Sequence, residues 1–333
     1  MQVSQKTIAN ALNVSIVTVS RALRNRPDLA EDTKHRILQK AQELGYKKNS
    51  AKAAAAKPGK DTQVRRVGIL FYENEGTPHI DMLKSEALRL IFRSIQKECQ
   101  RLEVETLIET PSTDHSVTPL ILKNRAVDGV FLLGRYSAKT VEMIGDTPVL
   151  AVSSFIECPK LPRIVADNFH GMRKATDHLI QLGHKKILFI GDIQQGTQLF
   201  RERSYGYMAA MHEQGLAPSV HFFESSNKPV PLEEISRHTA VACSNDTIAY
   251  LIQRKLLAVG KKLPEDCSLV SFDNLAPLDH PNPITSYGPD WELMGKMAAD
   301  LLLSTPLDIR GKNVVVTIPG TLFVHKSTCP IAG

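Results

Sequence analysis

The chain has 333 residues, 42% hydrophobic and 23% charged, and its 41 Lys and Arg outnumber 35 Asp and Glu to give a formal net charge of +6. That length exceeds one small module, because single cores seldom grow past roughly 250–300 residues, and the composition excludes a fibrous or largely disordered chain. No apolar run approaches the roughly 18 residues a spanning helix needs, and the N-terminus has neither a basic-then-apolar leader nor a cleavage site, so a cytoplasmic protein is expected.

The positive charge is concentrated at one end. Residues 1–60 hold 12 Lys and Arg against 4 Asp and Glu, and the remainder holds 29 against 31. A basic head on a near-neutral body is the footprint of nucleic-acid binding, since each neutralised phosphate releases condensed counterion. Ser4 can cap a short helix in which Ile8 and Leu12 share a face, with Ala9 beside them and Asn13 closing the turn. Ser15 caps a second helix whose Val19, Ala22 and Leu23 point inward while Val17, Thr18, Arg21 and Arg24 point elsewhere. A third helix follows Asn25-Arg26-Pro27, with Glu31 and Asp32 in its first turn, Ile37, Leu38, Ala41 and Leu44 inward and Gly45 as its stop. Two short helices around a tight turn read as helix-turn-helix. The start of the second helix then enters the major groove, with Ser4, Ser15 and Thr18 on phosphates. A bidentate contact from Arg21 to guanine discriminates by about 1–3 kcal/mol.

Residues 47–63 form an Ala/Lys stretch ended by Pro58-Gly59. A helix this short is marginal in water and orders only against DNA or a second subunit.

From Arg66 onward, strand-like apolar runs alternate with amphipathic helical stretches, the pattern of an α/β unit with parallel sheet. Strands are expected at 67–71, 104–108, 127–133 and 148–152, with a helical run over 82–102. A second series begins near Ile164, with helices over 168–182, 202–214 and 246–259 and strands at 186–190, 221–224, 239–243 and 268–272. Two such series imply two similar lobes, whose ligand site lies beyond the strand C-terminal ends. Phe71, Tyr72, Phe155 and Trp291 are candidates for stacking on a ligand ring or equally for core packing. No G-x-G-x-x-G or phosphate-loop motif, Ser/His/Asp set or paired carboxylates stand out, so neither a cofactor nor an enzymatic activity is expected. Five scattered cysteines (Cys99, Cys158, Cys243, Cys267, Cys329) without a C-x-x-C pair read as free thiols, with no metal site.

The run Asn13-Val14-Ser15-Ile16-Val17-Thr18-Val19-Ser20-Arg21-Ala22-Leu23, with Glu43-Leu44-Gly45-Tyr46 after it, resembles the DNA-binding head of the lactose-repressor (LacI/GalR) family of bacterial regulators. The resemblance continues through Val127-Asp128-Gly129-Val130, Leu182-Gly183-His184, Arg203-Ser204-Tyr205-Gly206, Ser244-Asn245-Asp246 and Ser271-Phe272-Asp273-Asn274. It implies an N-terminal all-α helix-turn-helix head (1–46), a hinge (47–63) and a two-lobed periplasmic-binding-protein-like α/β core with parallel sheets (64–330). The first lobe takes about 64–163 plus 288–319, the second about 164–287 plus 320–330. Ile16, Val17 and Arg21 match the family's base-reading residues. In the hinge Asn49 is retained, but Lys48 stands where a proline is usual and Ala55 where the family has the leucine that wedges between base pairs. Arg203, Asn245 and Asp273 match effector contacts, and Ser153 stands where an Asp is frequent.

The implied protein is a homodimeric repressor that binds a pseudo-palindromic double-stranded operator and answers to a small effector, commonly a sugar or purine. The body alone also admits a sugar-binding transport protein, and the departures at Ser153 and the hinge admit control by a protein partner.

Overall fold

A computed structural model of the protein describes residues 4–23, 31–44, 64–72, 85–112, 114, 116–134, 136–153, 161–192, 198–223, 230–275, 282–303 and 314–331. Asn49, Ala55, Phe155 and the side chains of Val17 and Arg21 lie outside the described residues. The chain divides into two compact units, Met1–Thr62 and Gln63–Gly333.

In the first unit, α1 (Gln5–Leu12), α2 (Ile16–Leu23) and α3 (Glu31–Glu43) follow their local signals. Ser4 Oγ accepts the Thr7 N–H at 3.2 Å and Thr7 Oγ1 accepts the Ser4 N–H at 3.3 Å, a reciprocal cap. Asn13 ends α1 in the left-handed region, at φ 53°. Ser15 Oγ caps α2 by accepting the Thr18 N–H at 3.0 Å. Ile8, Ala9, Val19, Ala22, Ile37 and Ala41 make the buried core, with Leu12, Val14, Leu23 and Leu44 packed around it. Leu38 departs from expectation and is 43% exposed. Ile37 and Ala41, four residues apart, take the inward stripe, and Leu38 is turned about 100° away from Ile37.

The second unit opens with β1 (Arg66–Tyr72), α4 (Glu86–Arg101), β2 (Glu105–Glu109), α5 (Leu120–Lys123), β3 (Gly129–Gly134), α6 (Ala138–Ile144), β4 (Val149–Val152) and β5 (Arg163–Ala166). Next come α7 (Asn168–Gln181), β6 (Ile187–Asp192), α8 (Gln198–Glu213), β7 (Ser219–Phe223), α9 (Leu232–Ile235), β8 (Ala240–Cys243), α10 (Asp246–Ala258) and β9 (Ser268–Phe272). It closes with β10 (Thr285–Pro289), α11 (Trp291–Leu303), β11 (Val315–Ile318) and β12 (Gly320–Phe323). Two six-stranded sheets result, ordered β11-β5-β4-β3-β1-β2 and β12-β10-β9-β8-β6-β7. Every pairing is parallel except that of β12 with β10. Central strands such as β3, β8 and β9 are buried along their whole length, as parallel strands covered on both faces must be.

The chain changes sheet three times, at Asp167, Asp290 and Pro319, between β5 and α7, β10 and α11, and β11 and β12. The run near Ile164 therefore belongs to the first sheet, as β5 between β4 and β11, and the second sheet keeps the chain to Pro289 as β10.

Beneath the second sheet, α7 and α8 pack so closely that a Cβ on Gly206 would run into the Phe169 carbonyl. Tyr207 Oη, also on α8, accepts the Ser219 N–H at 2.8 Å and lies 2.8 Å from the Ile187 carbonyl; burial pushes this phenol up to about 12. At the strand N-terminal ends the last residues are stitched on. Ser327 Oγ donates to Leu269 O at 2.7 Å and accepts the Thr285 N–H at 2.8 Å, and buried His184 lies 3.1 Å from Cys329 O and 2.9 Å from Thr239 Oγ1. His184 is thus a structural tie for the C-terminal segment. Cys99, Cys243 and Cys267 are buried free thiols, Cys329 is partly buried, and Cys158 lies outside the described residues.

Candidate functional site

The head presents its candidate DNA contacts from the start of α2. Ile16 is 46% exposed there, an apolar side chain that folding of the head leaves uncovered. Ser4 and Ser15 are exposed, with hydroxyls engaged in helix capping, and Ser15 Oγ lies 2.7 Å from Thr18 Oγ1. Ser4 Oγ likewise lies 3.0 Å from Thr7 Oγ1, so each capping hydroxyl also shares a hydrogen bond with the threonine three residues on.

In the body, Arg203 projects from the first half of α8 into a fully built setting. Its Nε donates to Asn168 Oδ1 at 2.9 Å, Nη1 to the Ser244 carbonyl at 2.6 Å, and Nη2 pairs with Asp273 Oδ1 at 3.0 Å. The guanidinium stacks over the Phe272 ring, 3.7 Å from its centroid. These partners gather where β8 and β9 end and α7 begins, the end of a parallel sheet where ligands bind. Asn245 stands in the same place but spends its side-chain oxygen on capping α10, accepting the Ile248 N–H at 2.9 Å. Its amide nitrogen is the part left for a ligand.

Asp273 is the open member of the pair, a fifth of its side chain exposed against 5% for Arg203. Burial pushes its carboxyl up to about 7, Arg203 pulls it back, and the neighbouring Asp246 adds to the rise. The folded carboxyl therefore holds its proton more tightly than an unfolded one, whose ordinary value is about 3.8. Its contribution to stability is complete below that value and is lost as the pH rises through about 7. Urea unfolding of the wild type and Asp273→Asn across pH 4–8 tests this, with the wild type expected to lose stability relative to the variant as pH rises. A pH-independent difference between the two would refute the assignment.

Trp291, expected as a stacking candidate, is 7% exposed at the start of α11, and its indole N–H donates to the Asp273 carbonyl at 3.1 Å. Phe71 and Tyr72 are core residues: Phe71 packs edge-on against Phe92 and Tyr72 against Tyr136, and burial pushes the Tyr72 phenol up to about 12. A β-strand end sandwiched between helices leaves these rings no open face for a ligand. Ser153, just after β4, sits at φ 50° with its N–H on the Ile164 carbonyl.

Sequence reasoning missed Asn168 and Asp246. Asn168 is 1% exposed and holds Arg203 while donating to Ala166 O at 3.0 Å and Glu202 Oε2 at 3.2 Å. Asp246, read as a helix start and as part of the Ser244-Asn245-Asp246 run but given no role in the site, is 6% exposed and accepts from Leu275 N at 2.6 Å and Ser286 Oγ at 2.8 Å. Among the described residues no cluster of three or more His, Cys, Asp or Glu could hold a metal, and no helix is long and apolar enough to cross a membrane. A separate open groove of about 990 Å³ runs between α4 and α11, lined by both charge signs, including Arg93, Lys97, Glu98 and Glu292; it is not part of this site.

Comparison with known proteins agrees with both units. Residues 5–49 match the model for bacterial regulatory proteins of the lacI family, and residues 176–328 match that for periplasmic binding protein-like domains. The probable HTH-type transcriptional repressor ExuR of Bacillus subtilis (strain 168) is 27% identical over 290 residues, which cover 82% of each chain. Among solved structures, a transcriptional regulator CelR–cellobiose complex superposes with a TM-score of 0.65 at 22% identity, covering 98% of this chain and 100% of the other. The lac repressor dimer bound to operator and the anti-inducer ONPF gives 0.65 at 19% identity, covering 99% and 100%. With a helix-turn-helix head, two mostly parallel sheets and these matches along its length, the chain belongs to the LacI family of bacterial transcriptional regulators.

Proposed function

We propose that this protein is a cytoplasmic, homodimeric transcriptional repressor whose hold on its operator is set by a small polyhydroxylated effector, most simply a sugar. The observation that carries the effector half is the Arg203–Asp273 pair at the strand C-terminal ends. Asp273 offers a carboxylate edge to hydroxyl donors, and Asn245 offers an amide N–H beside it. Vicinal hydroxyls satisfy both, and a ligand lacking one of them strands a buried polar group. The cellobiose complex of CelR supports this class of ligand.

The DNA half rests on α2, with Ile16, Val17 and Arg21 as base readers and residues 47–63 as the hinge carrying Asn49 and Ala55. One head reads only a few base pairs, and two heads one helical turn apart give a pseudo-palindrome and usable affinity. The lac repressor dimer on its operator supports that arrangement. An alanine methyl at position 55 is a poor wedge, so Lys52 and Lys57 would act on phosphates instead.

Selection of bound sequences from random duplex DNA by the full-length protein tests the reading. A pseudo-palindrome is expected, and Arg21→Ala is expected to weaken its recovery and relax one base position by about 1–3 kcal/mol. Enrichment unaffected by Arg21→Ala would overturn the role of that residue. For the effector, a thermal-shift screen of sugars and sugar phosphates should find a ligand that stabilises the body by about 2.7 kcal/mol at 100 times its dissociation constant.

A further inference from the structure

We propose that Asp246 is the positioning residue of the effector site: from the first turn of α10 it fixes the turn that presents Asp273. The inference deepens the effector reading and rests on it. Asp273 and Asn274 are consecutive non-glycine residues at φ 113° and φ 51°, a strained pair that keeps its shape only where surrounding contacts over-determine it. Each backbone N–H of the turn has a fixed acceptor. The Asp273 N–H goes to Tyr287 O at 2.8 Å, the Asn274 N–H to Ser286 Oγ at 3.0 Å, and the Leu275 N–H to Asp246 Oδ2 at 2.6 Å. Ser286 Oγ passes its own proton to Asp246 Oδ1 at 2.8 Å. Both oxygens of one buried carboxylate therefore hold two of the three links, one directly and one through Ser286.

An amide in its place, with its oxygen on the Leu275 N–H, turns its NH2 toward Ser286 Oγ and reverses that link, so the serine proton must find another acceptor. The Asp246 charge on α10 raises the Asp273 carboxyl while Arg203 on α8 lowers it, and Arg203 in turn feels Asp273, Asp246 and Glu202. Removing the Asp246 charge leaves Asp273 with its cation and without its neighbour anion.

The molecule carries its own reporter, since Trp291 is the single tryptophan and its indole N–H sits on the Asp273 carbonyl. Trp291 emission of the full-length protein, followed without any ligand from pH 4.5 to 9, is expected to show a transition near pH 7 that disappears in Asp273→Asn. In Asp246→Asn the transition is expected at lower pH by about half a unit or more, because one repulsive charge has gone. Ser286→Ala, which keeps the charge and cuts the second link, is expected to shift the emission maximum and leave the midpoint within about 0.2 units. An unchanged midpoint in a folded Asp246→Asn, or an unchanged maximum in Ser286→Ala, would overturn the assignment. Should Asp246→Asn fail to fold, Ser286→Ala alone decides. Because no effector enters the experiment, a failure here is separate from a failure to find a sugar ligand.

Discussion

Replacing Arg203 by methionine is expected to destabilise the body by about 3–5 kcal/mol, the range for removing one partner of a buried ion pair. The stem has a close apolar replacement, so the loss is electrostatic. Asn168 Oδ1 and the Ser244 carbonyl lose their donor, and Asp273 keeps the unfavourable influence of Asp246 without its own cation. Two further measurements give this result its meaning. Asp273→Asn in the Arg203→Met background should recover much of the loss, since the stranded carboxylate is then neutral. The single variant should also gain stability as pH falls, and should begin to do so at a higher pH than the wild type, because the Arg203 charge that pulls the Asp273 carboxyl down has gone. Urea unfolding of the four proteins at pH 6 and 8 measures both, and a loss under about 1 kcal/mol would show that the pair carries little of the fold.

Ile37→Ala should abolish operator binding while the body unfolds as before. The head closes over six buried residues, and Ile37 is 1% exposed at their centre. Truncating a buried isoleucine to alanine costs about 2–5 kcal/mol, and a unit this small holds only about 3–5 kcal/mol in all. The two compact units separate at residue 62, so calorimetry should lose the head transition and keep that of the body. Leu38→Ala is the paired control: 43% exposed, it should change stability by about 0.5 kcal/mol or less. Equal effects at the two neighbours would mean that α3 packs on its other face.

The head was legible because its signals are local. Ser4, Asn13 and Ser15 mark helix ends within a few residues of the bonds they make, and among the described residues of the head Leu38, one position off the inward stripe, departs from the expected burial. The longer strands of the body announced themselves as apolar runs. β11 and β12 did not, being four-residue edge strands with exposed positions, and α11 is apolar on too many sides to show a stripe. At the effector site Arg203 and Asp273 came from motif resemblance, whereas Asn168 and Asp246 are recognisable only once β5, β8 and β9 bring distant residues to one sheet end. Phe71 and Tyr72, offered equally as ligand platforms or core, lie in the core for a related reason. A ring at a strand end is a ligand platform or a core residue depending on what covers it, and nothing in the run Phe71-Tyr72 says what does.

The three passages of the chain between the sheets set the order in which the protein can be made. A ribosome releases the whole head once residue 44 is clear of it, and three helices with mostly local contacts can close at once. The first sheet, begun at Arg66, waits for Val315–Ile318 to supply β11, and the second waits for Gly320–Phe323 and for Ser327 to bind Leu269. Synthesis interrupted anywhere in between leaves a finished DNA-reading head on an unfinished body, a product for proteases rather than a weaker repressor.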